Sequence, residues 1–216
     1  MKEIIINTYN SLQLNANKLQ TLPNLRKEDV EKIARYKTEL GQREEAVSAY
    51  FKRKYVGDFF ISDKGKPLSS NTYFNISHSN GLVIFSKNDK PIGIDIEKVE
   101  KIEDDIKSFV MSDDEYEDIK EDEDFFKKWV SKESLLKAVG SGMVRAVKEV
   151  PSTYDGKKEY NGKTYYSHLI KYNEFFISVT IEDVEDFNIK MQIEEINLWK
   201  ICTHYLRQKR DYIFLL

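Results

Sequence analysis

The hydrophobic period changes four times along this 216-residue chain, and that alternation limits the fold more than any single motif does. Ile4, Ile5 and Ile6 are a short β-branched run, which predicts an N-terminal strand. From about Lys27 to Tyr55 the apolar residues fall at helical spacing, Ile33, Tyr36 and Leu40 and then Ala46, Ala49 and Tyr50, so two helices are expected. Gly65-Lys66-Pro67 reads as a turn. Leu82–Phe85 and Ile92–Glu97 predict strands on either side of the polar turn at Lys87–Lys90. Ser112 with Glu115 three residues later is a capping box that starts a helix, and a second helix from about Glu123 should stop at Gly140. After Pro151 the pattern is β again, over Lys163–Tyr172, Phe175–Ile181 and Ile189–Ile196. Strand, helices, strands, helices, strands in that order predict an α+β fold of two comparable lobes, residues 1–98 and 99–216, cut near Lys98.

Composition narrows the function classes. Hydrophobic residues make up 40% and aromatics 12%, too many for a disordered chain at a mean hydropathy of −0.58. No apolar run approaches the roughly 18 residues of a membrane span, and the start of the sequence is too short for a signal-peptide core. Cys202 is the single cysteine, which excludes an intrachain disulfide or a cysteine-based zinc site and fits a reducing cytosol. A net charge of −3 supplies no global basic field for nucleic acid. The expectation is a soluble, cytoplasmic, monomeric protein that engages neither nucleic acid nor membrane. Charge is uneven within it. Residues 103–124 hold 12 acidic side chains against 2 lysines and read as solvated acidic helices.

Three short stretches could carry chemistry. In Gly93-Ile94-Asp95-Ile96-Glu97, strand alternation puts Asp95 and Glu97 on one face. Two like charges so placed are comfortable only in water or around a hard cation such as Mg²⁺ or Mn²⁺, so the choice lies between a polar outer face and a metal site. Asp95 is expected on an accessible face. In the helix Trp129–Gly140, Trp129, Glu133 and Lys137 lie along one stripe. Glu133 and Lys137 are spaced for an ordinary i,i+4 ion pair, but Trp129 on the same stripe implies partial burial, where a glutamate is either paired or coordinating. Phe74-Asn75-Ile76-Ser77-His78-Ser79 is read as a turn that presents donors to a phosphate, or as a satisfied loop histidine. Serine-hydrolase elbow, Walker loop, Rossmann glycine pattern and HExxH are all missing from the sequence.

Taken in order, Gly65-Lys66-Pro67, Phe74–Ser79, Ile92–Glu97 and Trp129-x-x-Lys132-Glu133-x-x-x-Lys137 resemble the 4′-phosphopantetheinyl transferases of the surfactin-synthetase (Sfp-like) type, with Phe109–Glu115 similar to the family's F-x-S-x-x-E segment. The resemblance covers roughly residues 26–181. It implies a pseudo-twofold pair of similar lobes with coenzyme A between them, and transfer of the 4′-phosphopantetheine arm to a serine of an apo acyl or peptidyl carrier protein. Adenosine 3′,5′-bisphosphate leaves. By the same resemblance, Asp95, Glu97 and Glu133 are the Mg²⁺ carboxylates and Lys137 contacts the attacked phosphate. Ser77 and His78 bind phosphate, Lys66 holds coenzyme A, and Arg43 lies near the 3′-phosphate, with Glu44 an alternative alignment. His78, Glu133 and Lys137 form the implied catalytic set, Glu133 taking the serine proton directly or through a metal-bound water. Residues 103–124 lie where a carrier protein would dock, yet carriers are themselves acidic. Leu198–Arg210 reads as an amphipathic helix that matches nothing in the family. Two other classes compete: a non-catalytic protein that binds coenzyme A or a carrier, and a Mg²⁺-dependent nuclease. The nuclease would want a lysine on the face of the strand acids, whereas Lys98 follows Glu97 directly and faces away.

Overall fold

The computed structural model of the protein describes residues 2–63, 65–142, 147–184 and 186–196. The first half runs β1 (Lys2–Asn10), α1 (Lys27–Arg35), α2 (Glu39–Tyr55), the short pair β2 (Phe60–Ile61) and β3 (Pro67–Leu68), β4 (Tyr73–Ser79), β5 (Leu82–Asn88) and β6 (Ile92–Lys98). The second half runs α3 (Asp104–Val110), α4 (Asp113–Glu117), α5 (Asp122–Val139), β7 (Gly156–Tyr160), β8 (Lys163–Tyr172), β9 (Phe175–Glu182) and β10 (Phe187–Ile193). The architecture is α+β. No helix among the described residues is long and apolar enough to cross a membrane.

Two four-stranded sheets have the orders β10-β1-β5-β4 and β6-β9-β8-β7. Alternation along the strands builds the layers. Val83 and Phe85 of β5 join Phe74 against Ala46, Val47, Tyr50 and Phe51 of α2, while Ile84, between them in sequence, faces the other way. In the same manner Phe176 packs with the α5 residues Val130, Leu135 and Leu136, while Ile177, Val179 and Ile181 turn to the opposite face. There they meet Ile92, Ile94 and Ile96 of β6 and Ile4 and Ile6 of β1. The stack is therefore helix, sheet, sheet, helix.

Each half contains a long helix, an antiparallel hairpin and a further strand: α2, β4–β5, β6 and then α5, β8–β9, β10. The last strand of each crosses over. β6 pairs with β9, and β10 pairs in parallel with β1. The cut at Lys98 assigned β6 to the first lobe by position in sequence. Its hydrogen bonds instead put it in the second sheet, and the sheets divide between Asn88 and Ile92.

Helix α5 is fixed closely to the second sheet. A Cβ built on Gly93 would lie 1.9 Å from the Ser134 carbonyl oxygen and 2.4 Å from the Ala138 nitrogen, so only glycine permits this approach. Under the helix, Ser134 Oγ is 2.8 Å from both Ser178 Oγ and Thr180 Oγ1, which satisfies hydroxyls that water cannot reach. The helix ends as expected at Gly140, in the left-handed region at φ 74°. The capping box at Ser112 is present, and its Glu115 does a second job: it pairs at 2.6 Å with Lys132 Nζ, which is fully buried and also donates to the carbonyls of Val110, Val147 and Lys148. Lys132 and Glu115 thus tie the strongly acidic α3–α4 segment to α5. Leu198–Arg210 and Cys202 lie outside the described residues.

Candidate active site

The site lies where the edges of the two sheets meet, and β4 makes the seam. Phe74–Ser79, expected as a turn, is a strand. Its polar face carries Asn75, Ser77 and Ser79 at period two, and each reaches β6 through its side chain. Asn75 Oδ1 accepts from the Ile94 N–H at 3.0 Å, Ser77 Oγ donates to Asp95 Oδ1 at 2.8 Å, and Ser79 Oγ donates to Glu97 Oε2 at 2.9 Å. Ser79 Oγ also accepts from the Lys98 N–H at 3.2 Å. Because Asn75, Ser77 and Ser79 are buried against β6 and do not face water, the usual apolar–polar contrast of a strand is missing from the sequence.

The carboxylates converge under desolvation. Asp95 is 3% exposed, which corrects the expected accessible face. Its Oδ1 takes Lys137 Nζ at 2.5 Å in addition to Ser77, while its Oδ2 is buried with no partner among the described residues. Glu133 Oε1 is likewise buried and unpartnered. Burial, and after it the Asp95 charge, push the Glu97 carboxyl up to about 7 and raise Glu133 as well. Lys137 Nζ donates to Ser77 Oγ at 2.9 Å, so its ammonium is held by the β4–β6 seam.

These groups open onto a cleft of about 470 Å³ that is also lined by Lys32, Lys52 and Trp129. Lys66 lies in an adjoining hollow shared with Glu133 and Lys137, where it donates to the Lys137 carbonyl and burial lowers its pKa. His78 is on the other face of β4, with Nδ1 3.2 Å from Glu44 Oε2. Arg43 is elsewhere. Its guanidinium is held by Glu39 and by the carbonyls of Leu12 and Leu14, and it does not line the cleft. A crevice of similar size, about 430 Å³, lies around Leu12, Tyr172 and Ile193 and holds none of the expected residues, so volume alone does not select the site.

The donor set fits a hard divalent cation in chemistry: three carboxylates, two of them with an orphaned buried oxygen, and mutual repulsion that a cation would relieve. They are not closed into a cage. Among the described residues no three His, Cys, Asp or Glu side chains are already grouped tightly enough to grip a metal, and Lys137 occupies one Asp95 oxygen. Ser79 and Glu44 received no role from the sequence beyond, for Glu44, an alternative alignment. The period-two spacing of Asn75, Ser77 and Ser79 was the available signal for Ser79.

Residues 91–180, which contain Asp95, Glu97, Glu133 and Lys137, match the model of the 4′-phosphopantetheinyl transferase superfamily. This stretch is similar to that superfamily. The resemblance carried by the motifs is to that same family. Among curated relatives, 4′-phosphopantetheinyl transferase psf-1 of Bacillus pumilus is 34% identical over 94 residues, covering 39% of this chain and 40% of the relative. 4′-Phosphopantetheinyl transferase Sfp of Bacillus subtilis (strain 168) is 38% identical over 94 residues, 39% of this chain and 42% of the relative. The matched stretch thus spans about two fifths of the length of these relatives. The solved structure of Thermotoga maritima holo-[acyl-carrier-protein] synthase (AcpS) is 19% identical, covers 43% of this chain and 62% of that one, and has a TM-score of 0.29, too low for an argument about fold.

Proposed function

We propose that this protein transfers the 4′-phosphopantetheine group of coenzyme A to a serine of an apo acyl or peptidyl carrier protein and releases adenosine 3′,5′-bisphosphate. The observation that carries this reading is the convergence of Asp95, Glu97, Glu133, Lys137 and Ser77 on one cleft at the seam between the sheets. A site for the attacked pyrophosphate needs fixed positive charge and donors, and Lys137 and Ser77 supply both from rigid elements. Asp95, Glu97 and Glu133 would hold Mg²⁺, or Mn²⁺, which when bound neutralises charge on the leaving bisphosphate.

The carrier serine supplies the nucleophile, so this chain needs no activated serine or cysteine of its own. Its oxygen forms a bond to the phosphorus that bears pantetheine, and the bridging oxygen leaves with the adenosine bisphosphate. The serine proton goes to Glu133, whose Oε1 is unpartnered and whose pKa is raised towards that of a useful base. Lys137 balances the charge that grows as the P–O bond breaks, and Lys66 and His78 hold the anionic parts of coenzyme A. Arg43, committed to Glu39 and to backbone carbonyls, has no part in this reading. A monomer acting in the cytoplasm is proposed with it. The test is the intact mass of an apo carrier protein after incubation with coenzyme A, Mg²⁺ and this protein. A gain of one phosphopantetheine is expected. Binding of coenzyme A without any gain across several apo carriers would replace the transferase by a non-catalytic binding protein.

A further inference from the structure

At the wall of the cleft built by α1 and α2, one buried carboxylate answers two lysines. Glu45 of α2 is 5% exposed, and both of its oxygens are taken. Oε1 lies 3.0 Å from Lys32 Nζ of α1 and 3.5 Å from Lys52 Nζ of α2, and Oε2 accepts from Tyr36 Oη at 3.1 Å. Lys32 is half exposed, whereas Lys52 is 5% exposed and has its ammonium 5.5 Å from the centre of the Phe59 ring. Burial lowers the pKa of Lys52 below its ordinary value, and the Glu45 charge opposes that fall. Beside them Ser48 lines the same wall, with its Oγ buried and without a partner among the described residues. None of these groups takes part in the transfer step proposed above.

Apart from its pyrophosphate, coenzyme A carries one further anionic group, the 3′-phosphate of its ribose, and its pantetheine arm is uncharged. Lys137 and Ser77 serve the pyrophosphate, so the α1–α2 wall is where the lining of the cleft could offer lysines to the second group. We propose that Glu45 is a specificity-determining residue: as an internal counter-ion it masks Lys32 and Lys52, so that the 3′-phosphate gains little and the protein accepts 3′-dephospho-coenzyme A almost as readily as coenzyme A. The inference rests on the transferase reading above. Over the whole cleft three lysines stand against four carboxyl groups, which leaves little positive charge for an added phosphate. Ser48 Oγ can pair with a ribose hydroxyl as well as with a phosphate oxygen. A purely structural Glu45 would tie α1 to α2, and its loss would then weaken the fold without changing the preference between the two ligands.

Calorimetry with coenzyme A and with 3′-dephospho-coenzyme A, Mg²⁺ present in both, reads the masking as a ratio of two affinities. In wild type coenzyme A should be preferred by less than about fivefold. Glu45→Gln keeps an acceptor for Tyr36 but removes the counter-ion. It should bind coenzyme A about tenfold more tightly and the dephospho form less than about twofold more tightly, and added salt should shrink that difference. Without ligand Glu45→Gln should melt lower than wild type, because Lys52 is left buried and unpaired, and coenzyme A should raise its melting temperature by more than it raises that of wild type. A wild-type preference for coenzyme A above about fivefold, or equal gains for the two ligands in Glu45→Gln, overturns the inference while leaving the transferase reading intact. If Glu45→Gln fails to fold, Lys32→Gln decides in its place. With one lysine fewer at the wall, coenzyme A should become the weaker ligand of the two, and an unchanged ratio overturns the inference. A wild type that binds neither ligand overturns the transferase reading, and the inference with it.

Discussion

Four residues after Glu133 on the same helix, Lys137 could close an ordinary surface ion pair, but its ammonium crosses to Asp95 and Ser77 on the opposite strands. That contact gives Lys137 a structural duty as well as the proposed catalytic one, and the two can be separated. Lys137→Gln leaves Asp95 buried with Ser77 as its remaining polar partner, so thermal stability should fall. Adding Asp95→Asn removes the stranded charge and should restore the melting temperature. Turnover should not recover. Single-turnover transfer should be down by a factor of about a hundred or more in Lys137→Gln, the scale on which preorganised charge acts, with coenzyme A affinity falling less. Wild-type turnover in Lys137→Gln would leave the lysine as a buried-carboxylate partner and nothing more. Lys158 offers an independent check on burial. Its Nζ is buried and donates to Ser131 Oγ at 2.8 Å, and desolvation lowers its pKa from 10.5 to about 7. The unfolded chain therefore binds the extra proton between about pH 7 and pH 10.5, and stability contributed here rises with pH over that window. Lys158→Met should stabilise most at pH 6 and have no advantage by pH 10.5, read from urea midpoints at the two pH values. A pH-independent gain would mean that Lys158 is not charged in the unfolded chain alone.

At the scale of elements, the site depends on how closely α5 lies on β6, because that helix carries Glu133 and Lys137 and that strand carries Asp95 and Glu97. Gly93 sets the distance. An alanine there would place its Cβ against backbone atoms of Ser134 and Ala138, which cannot swing aside as a side chain could. Gly93→Ala should cost upward of about 3 kcal/mol in urea unfolding, the upper end for overpacking, and should lower transfer further by moving Lys137 relative to Asp95. A cost below about 1 kcal/mol would show that α5 sits farther from β6 than described. Much of this was legible in sequence. Gly93-Ile94-Asp95-Ile96-Glu97 announced both its strand and its two faces, and Ser112, Glu115 and Gly140 announced helix boundaries. β4 was not legible as a strand, because its serines and asparagine face another strand and not water. Nor was the burial of Asp95, since a carboxylate is expected at the surface until its partners, Ser77 and Lys137, are brought from 18 and 42 residues away. The place of Arg43 was illegible for a related reason: nothing local reveals that carbonyls of the segment after β1 will take its guanidinium.

For the whole molecule, the decisive feature is the exchange of strands between the halves, and no local pattern encodes it. β6 and β10 read as strands, but pairing over such separations is fixed by the inter-sheet core of Ile4, Ile6, Ile94, Ile96, Ile177 and Val179. A buried latch adds to it just past β10, where Glu194 accepts from Tyr50 Oη at 3.1 Å and is also bonded by Lys54 and Tyr55 of α2. The Glu194 N–H donates to the Thr8 carbonyl at 2.8 Å, so the returning chain is held by both β1 and α2. Neither half then keeps its sheet covered: the first lacks the strand β10, and the second keeps β6, β9, β8 and β7 but bares the inner face of Ile94, Ile96, Ile177 and Val179. Residues 1–90 lack β10, which leaves β1 with an open edge and the inner faces of Ile4, Ile6 and Ile84 bare. Residues 91–216 hold β10 without the strand it pairs with. Each fragment alone should therefore give a collapsed amide spectrum and no cooperative urea transition, while an equimolar mixture should regain dispersion and a single transition. The cut lies between β5 and β6, where no strand is broken, and it parts β1 from β10 while leaving the hairpins of each fragment intact. Cooperative unfolding of the isolated 1–90 fragment would mean that the α2 face alone sustains the first sheet, and that the strand exchange contributes to the site but not to the stability of the fold.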